Sequence, residues 1–192
     1  MSDRARGRGF PAPISDGMWQ ASAVTHELPT ISDRQELLHT LETGPCHRFS
    51  DWPNPSVPKV ATGVYTVWEH GRLIYVGMSG RGLAAEDTDA PDEPVKAKGL
   101  WTRLNSHASG RRSGDQFCVY VCDRFVVPRL SDQQQAQIGD GVLSLDALTR
   151  KHIHDCFEYR YATVDNGTDA FALEREVQRG AMTVGKPFLN PR

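Results

Sequence analysis

The 192-residue chain contains no Cys-x-x-Cys pair, no apolar run long enough to cross a membrane and no segment that resembles a secretory signal. We therefore expect a cytoplasmic protein with no membrane partner and with its four cysteines as free thiols. The sequence His152-x-His154-x-Cys156 contains metal-ligating residue types. No second ligand pair accompanies it at a matching spacing, so the sequence favours a structural role over a metal site.

A strong excess of charge is also missing. The chain has 22 Lys and Arg against 24 Asp and Glu, a formal net charge of −2. This balance argues against indiscriminate coating of nucleic acid, because affinity from counterion release requires clustered cations. The distribution is uneven: residues 98–112 carry four cations and no carboxylate, and residues 86–93 carry five carboxylates and no cation. The first run is suited to meeting phosphates, and the second is typical of a solvated loop.

The length allows one well-filled core and a small extension, so we expect a single main domain. Residues 1–29 are rich in Gly, Pro, Ser and Arg without periodicity, which predicts a disordered or extended arm. Residues 30–60 are predicted to form a short amphipathic helix, with a capping-box pattern at Ser32 and Gln35, and then a proline-rich linker. Residues 61–192 are predicted to form the main domain, with inserted helices near residues 131–155.

Periodicity and turn residues predict the other elements of the main domain. They are helices over residues 95–108, 131–138 and 144–154, strands over residues 117–127 and 157–164, and a last helix that is capped by Thr168 and ends near Arg179.

The stretch GVYTVWEHGRLIYVGMSGRG, residues 63–82, predicts a β-hairpin that runs into a glycine-rich turn. A three-residue loop with Gly71 in the left-handed conformation would place Tyr65 directly opposite Tyr75. Val64, Ile74 and Val76 would then form the core face on the other side of the sheet.

Gly63-Val64-Tyr65 and Tyr75-Val76-Gly77 resemble the paired signature of the GIY-YIG nuclease superfamily. Arg103, Glu174 and Asn190 follow in the order in which the family has its functional residues. The resemblance covers roughly residues 61–191. It implies a mixed α+β fold, with a small central antiparallel sheet flanked by helices, here with insertions and an N-terminal extension.

The resemblance also implies a metal-dependent endonuclease that hydrolyses DNA phosphodiester bonds with Mg²⁺ or Mn²⁺. Glu174 would be the metal ligand, Arg103 would neutralise charge on the phosphate, and Tyr65 would activate the attacking water. Tyr75, His107 and Asn190 would complete the site. The candidate phosphate-binding cations are Arg81, Lys98, Arg111 and Arg112.

Other interpretations remain open at this level. Several branches of the family have a lysine where this chain has Met78, so its role would pass to another residue. Arg103 and His107 lie at the edge of an apolar helix stripe and could instead extend to solvent. Glu174 could form a structural ion pair with Arg103. The alternative function is a catalytically degenerate nucleic-acid-binding module of the same fold, and the sequence gives no indication of oligomeric state.

Overall fold

The structure is a computed structural model that describes residues 31–80 and 98–190. The predicted arm at residues 1–29, the acidic run at residues 86–93 and Arg81 lie outside the described residues. The elements in chain order are α1 (Ile31–Thr43), β1 (His47–Arg48), β2 (Val60–Ala61), β3 (Gly63–Glu69), β4 (Arg72–Ser79), β5 (Lys98–Gly99), α2 (Leu100–Ser109), α3 (Gln116–Val121), α4 (Asp132–Gly139), α5 (Leu145–Cys156), β6 (Glu158–Thr163) and α6 (Gly167–Arg179).

The fold is mixed α/β, as predicted, and is built on a small antiparallel sheet with the strand order β1-β6-β3-β4. A separate short parallel pair joins β2 to β5. One face of the sheet packs against α1 and α6 through Leu41 and Leu173, and the other packs against α2, α3 and α5 through Leu104, Phe117 and Ile153. Both faces are therefore covered, which explains why β3 is buried along nearly its whole length.

The hairpin of β3 and β4 differs from the prediction in its turn. Glu69 pairs with Arg72, so the loop has two residues, His70 and Gly71, with φ of 50° and 79°. Positive φ at both central positions is the type I′ geometry that matches the twist of a hairpin. The predicted three-residue loop is therefore wrong, as is the direct pairing of the two tyrosines.

A bulge in the hairpin nevertheless brings Tyr65 and Tyr75 to the same face. The register shifts between Val67 and Trp68, so that Val67 pairs with Tyr75 and Tyr65 pairs with Gly77. The extra residue, Ile74, packs in the tyrosine-side core and not with Val64 and Val76 as predicted. The ring centroids of the tyrosines lie 6.3 Å apart, which confirms that they are neighbours on one face.

The predicted strand over residues 117–127 is wrong, because this segment is helical. It forms α3, followed by a π-helical turn (Cys122–Val126) and a 3₁₀ turn (Val127–Arg129). The Asp115 side chain caps α3 by accepting hydrogen bonds from the backbone N–H groups of Phe117 and Cys118. Phe117, Val121 and Phe125 recur every four residues and are buried together, so the helical period outweighs the β-propensity of the segment.

The predicted helices over residues 131–138 and 144–154 are present as α4 and α5. A Ser131–Gln134 capping box precedes α4, and the Ser144 side chain caps α5. The last helix is capped by Asn166 and not by Thr168, and α2 begins at Leu100 and not at residue 95. The predicted linker contributes β1, which pairs with β6, and the buried side chain of Phe49. In the part of the chain that the structure describes, no helix is long and apolar enough to span a bilayer.

Candidate functional site

A cleft of about 710 Å³ lies where the end of β4 meets α2 and α6. Its walls carry side chains of opposite charge from two helices, together with a tyrosine and several hydroxyl groups. The lining residues are Tyr75, Gly77, Met78, Ser79, Gly80, Gly99, Thr102, Arg103, Ser106 and Glu174. The cleft thus brings together three residues that the sequence places far apart: Tyr75, Arg103 and Glu174.

Directly beneath this cleft lies a buried chain of hydrogen bonds. The Tyr65 hydroxyl lies 2.6 Å from Nε2 of His107, and Nδ1 of His107 lies 2.6 Å from Oδ2 of Asp115. The three residues are at most 2% exposed. Ser106 also donates to Oδ2 of Asp115, at 2.7 Å. Asp115 therefore orients the imidazole, as well as capping α3.

The protonation states of these groups follow from their surroundings. Burial by itself would raise the pKa of Asp115, but hydrogen bonds from His107, Ser106 and the backbone outweigh it and bring the pKa down to about 2. Burial lowers the pKa of His107 in spite of its hydrogen bond with Asp115, so the imidazole is neutral at neutral pH. The Asp115 carboxylate must accept the Nδ1 proton. Nε2 is then free to accept the hydrogen bond from the Tyr65 hydroxyl.

Gly77 allows Tyr65 to reach this position. A Cβ at residue 77 would overlap the Tyr65 hydroxyl, so only glycine permits the ring to lie across β4. Because Gly77 itself lines the cleft, the hydroxyl lies just below the cleft floor. Burial raises the pKa of Tyr65 well above its usual value, and the neighbouring Tyr75 adds to this effect.

Arg103 connects the buried chain to the cleft. It is exposed on α2, in contrast to His107 one turn later. Burial works against its charge, but the nearby Tyr65, Tyr75 and Asp115, and a hydrogen bond with Tyr65, raise the pKa of Arg103. Of the two residues that could have extended to solvent, Arg103 reaches the cleft and His107 is buried. Among the described residues that line the cleft, Arg103 is the one cation.

Tyr75 is the tyrosine that faces the cleft. It is half-buried, and its ring meets His107 edge-on at a centroid distance of 6.0 Å. Burial raises the pKa of Tyr75 to about 12, and the charge of Glu174 adds to this effect, so its hydroxyl is protonated at neutral pH. The two tyrosines therefore differ in access: Tyr75 meets the cleft directly, and Tyr65 lies behind Gly77 and Arg103.

Asn190 has a structural position. Its side-chain amide donates to the carbonyl oxygen of Val76 and accepts from the Val76 N–H, both at 2.8 Å. The backbone N–H groups of Phe188 and Leu189 donate to the carbonyl oxygens of Leu73 and Ile74. The C-terminal segment thus covers the outer edge of β4. Asn190 therefore fixes the C-terminal segment against the strand that carries Tyr75.

Of the predicted phosphate-binding cations, Arg111 and Arg112 lie outside the described lining of the cleft. Arg112 forms an ion pair with Asp146 at 2.6 Å, and neither Arg112 nor the exposed Arg111 lines the cleft. The backbone of Lys98 forms β5. Arg81 lies outside the described residues.

Asp115 and Ser106 are the residues of this site that sequence reasoning missed. The signal was present for Asp115: an Asp two residues before an apolar run of helical period is a helix N-cap pattern. Because residues 117–127 are predicted as a strand, the N-cap pattern at Asp115 was not used. The link to His107 has no local signal, because it depends on the packing of α3 against α2.

The oxygen-rich lining of the cleft fits a hard divalent cation. Glu174 supplies a carboxylate, and Ser79, Thr102 and Ser106 supply hydroxyl groups, with no His or Cys among the lining residues that the structure describes. Mg²⁺ and Mn²⁺ prefer such oxygen ligands and keep several waters.

Comparison of the chain with protein-family models, curated proteins and solved structures gives no significant match.

Proposed function

We propose that this protein is a metal-dependent endonuclease that hydrolyses DNA phosphodiester bonds. The observation that carries the proposal is the buried Asp115–His107–Tyr65 chain, which ends beneath a cleft lined by Arg103 and Glu174. A proton acceptor, a cation for the phosphate and a carboxylate for a metal are the groups that this hydrolysis requires. The choice of DNA as substrate comes from the resemblance to the GIY-YIG nucleases.

In the proposed reaction, His107 is the final proton acceptor. Water attacks phosphorus and passes a proton to the Tyr65 oxygen while Tyr65 passes its own proton to Nε2 of His107. The phosphorus–oxygen bond to the leaving sugar then breaks, and the sugar oxygen takes up a proton from solvent. The imidazolium returns its proton to solvent through Tyr65, which restores the neutral base. Asp115 stabilises the imidazolium that forms, as the carboxylate of a catalytic triad does.

Arg103 has two roles in this scheme. In the structure it contributes a hydrogen bond to Tyr65 and lines the cleft. A phosphate in the cleft would attract its guanidinium, and this movement would uncover the Tyr65 hydroxyl below. Glu174 would hold the divalent cation, which when bound polarises the phosphate and stabilises the charge of the leaving oxygen.

The direct test is nicking of supercoiled plasmid DNA by the purified full chain with Mg²⁺. We expect conversion to the open circular form, and chelation of the metal should stop it. Binding to DNA without any nicking, with Mg²⁺ or Mn²⁺, would instead favour the catalytically degenerate binding module.

Arg103→Lys is expected to slow cleavage by roughly 10²- to 10³-fold with little loss of DNA affinity. Lysine keeps the charge but lacks the planar fork that can hold two phosphate oxygens at once. Single-turnover cleavage and filter binding measure the two effects. The matched control is Arg111→Lys, at an exposed arginine outside the cleft lining, which should cleave like the wild type. Equal losses in both variants would contradict the role of Arg103.

The pH dependence of cleavage should report the titration of His107. We expect an acid limb with its midpoint below the ordinary histidine pKa of about 6.5. Burial lowers the pKa of His107, and only the neutral imidazole accepts the proton from Tyr65. Single-turnover rates at saturating Mg²⁺ over a range of pH provide the measurement. A midpoint at or above the ordinary value would assign the limb to another group.

Asp115→Asn is expected to lower the plateau rate by roughly 100-fold and to move the acid limb to still lower pH. The amide can turn its NH₂ group towards Nδ1 and hold the wrong tautomer of His107, and the charge that favours the imidazolium is lost. Asparagine still caps α3, so the fold should be kept. Asp123→Asn, at an exposed carboxylate after α3, is the control. If the plateau rate falls but the acid limb stays at the same pH, Asp115 serves only as the cap of α3.

A further inference from the structure

A second cluster of reactive side chains lies at the opposite end of the hairpin from the cleft. Glu69 is the last residue of β3, next to the turn, whereas the cleft is lined by Gly77, Ser79 and Gly80 at the other end of β4. His152 and Cys156 lie four residues apart on α5 and therefore share one face of the helix. One carboxylate oxygen, one imidazole nitrogen and one sulfur of these three residues lie within 4.8 Å of one another.

The imidazole of His152 lies in an unusual environment. Its Nε2 atom is buried and has no hydrogen-bond partner within the part of the chain that the structure describes. The nearest carboxylate oxygen, Oε1 of Glu69, lies 3.8 Å away, which is too far for a hydrogen bond. The ring is held by stacking on Phe125 at 5.1 Å and by an edge contact with Phe157 at 5.0 Å.

A buried polar atom without a partner costs free energy, so its presence calls for an explanation. The orphan Nε2 lies 3.8 Å from the Glu69 carboxylate, one nitrogen of the same ring lies within 4.8 Å of the Cys156 sulfur, and Phe125 stacks on the ring. A bound cation would satisfy all three groups at once. This is the property that separates the cluster from an ordinary surface ion pair.

We propose that Glu69, His152 and Cys156 form a binding site for a thiophilic divalent metal ion, best suited to Zn²⁺. Carboxylate, imidazole and thiolate are all zinc ligands, and three protein ligands leave a fourth tetrahedral position for water. Metal–ligand bonds of about 2.0 to 2.3 Å place tetrahedral ligands about 3.3 to 3.6 Å apart. The separation of 3.8 Å between Glu69 and His152 requires only a small side-chain adjustment.

Binding of the metal ion releases one proton. The Cys156 thiol loses its proton to solvent as the sulfur–metal bond forms, and His152 binds through the neutral imidazole. Burial lowers the pKa of His152, which favours that neutral form, and burial raises the pKa of Cys156, which keeps the thiol protonated until a metal arrives. Mg²⁺ prefers oxygen ligands, so this site and the proposed nuclease site would take different ions.

The expected consequence is a cross-link between the tip of the hairpin and the last turn of α5. Because the three ligands come together only in the folded chain, metal binding adds to the stability of the fold. Zn²⁺ should therefore raise the midpoint of thermal unfolding of the metal-free protein. This effect is independent of DNA cleavage.

The test uses the full chain, stripped with a chelator and titrated with Co²⁺ and then with Zn²⁺. We expect one thiolate-bound ion per chain, an ultraviolet thiolate-to-Co²⁺ charge-transfer band that Zn²⁺ abolishes, and a higher unfolding midpoint with Zn²⁺. Cys156→Ser should lose the band, and His152→Gln should lower the affinity by at least about tenfold, since even outer-shell partners are worth that much.

Two control variants test whether the charge-transfer band comes from this site. Cys46→Ser removes an exposed cysteine elsewhere on the chain and should leave the band unchanged, as should Glu174→Gln in the cleft. A band that survives Cys156→Ser, or no band with the wild type, would overturn the proposal. If Cys156→Ser does not fold, Glu69→Gln replaces it: weaker Zn²⁺ binding supports the site, and unchanged binding overturns the ligand set.

Discussion

Glu174→Gln is expected to cleave DNA roughly 1,000-fold or more slowly than the wild type at saturating Mg²⁺. Glu174 is the one carboxylate among the described residues that line the cleft, so its loss removes the proposed protein ligand of the cation. Glutamine keeps the shape of the side chain, and DNA binding through Arg103 should continue. The measurements are single-turnover cleavage, DNA affinity and the midpoint of thermal unfolding.

Glu176→Gln is the matched control, because Glu176 lies on the same helix. It forms an ion pair with Arg34 at 2.7 Å and has no place in the cleft lining. Its loss should leave cleavage unchanged. If Glu174→Gln still cleaves well, Glu174 is not the metal ligand; if it unfolds at much lower temperature than the control, the carboxylate serves the fold.

Tyr65→Phe is expected to lower the cleavage rate by roughly 10²- to 10⁴-fold, the range for removal of a general acid–base group. The change deletes a single hydroxyl oxygen and breaks the only route from the cleft floor to Nε2 of His107 within the described site. The buried nitrogen is then left without its donor, which should cost about 1 to 3 kcal/mol of folding stability. Cleavage must therefore be measured well below the unfolding midpoint of the variant.

Tyr75→Phe provides the comparison that assigns the reacting tyrosine. Tyr75 lines the cleft, whereas Tyr65 lies beneath it and alone contacts His107 through its hydroxyl. We expect Tyr75→Phe to retain the acid limb of the pH profile and to lose much less activity. The opposite result, an inactive Tyr75→Phe with an active Tyr65→Phe, would move the proton transfer to the tyrosine at the surface.

Local chemistry was enough to predict much of the fold. The Ser131 and Ser144 caps stand before α4 and α5, and the stripe of Ala170, Leu173 and Val177 faces the core from α6 as its spacing predicts. These features are predictable because capping and helical periodicity act over a few residues. The segment of α3 predicts a strand because β-branched and aromatic residues fit both structures, and the Asp115 cap is the local feature that favours the helix.

The hairpin shows most clearly which features the local sequence predicts and which features depend on tertiary contacts. The sequence predicts two strands, a tight glycine turn and tyrosines on one face. The turn proved to be one residue shorter, and the bulge at Ile74 restored the shared face. That bulge lies where Leu189 donates to the carbonyl oxygen of Ile74 at 2.8 Å, a contact with the far end of the chain. Register in such a strand is therefore not a local property.

By itself, the sequence determined the mixed α/β class, most of the helices and the candidate residues Tyr75, Arg103 and Glu174 that meet in the cleft. Only the tertiary structure decided that Tyr65 is buried, that His107 is held by Asp115, and that Glu69 approaches His152 and Cys156. Caps and periodic stripes are encoded by neighbours along the chain. Hydrogen bonds and metal-ligand contacts between distant segments depend on how the helices pack on the sheet, and that packing is a property of the whole core.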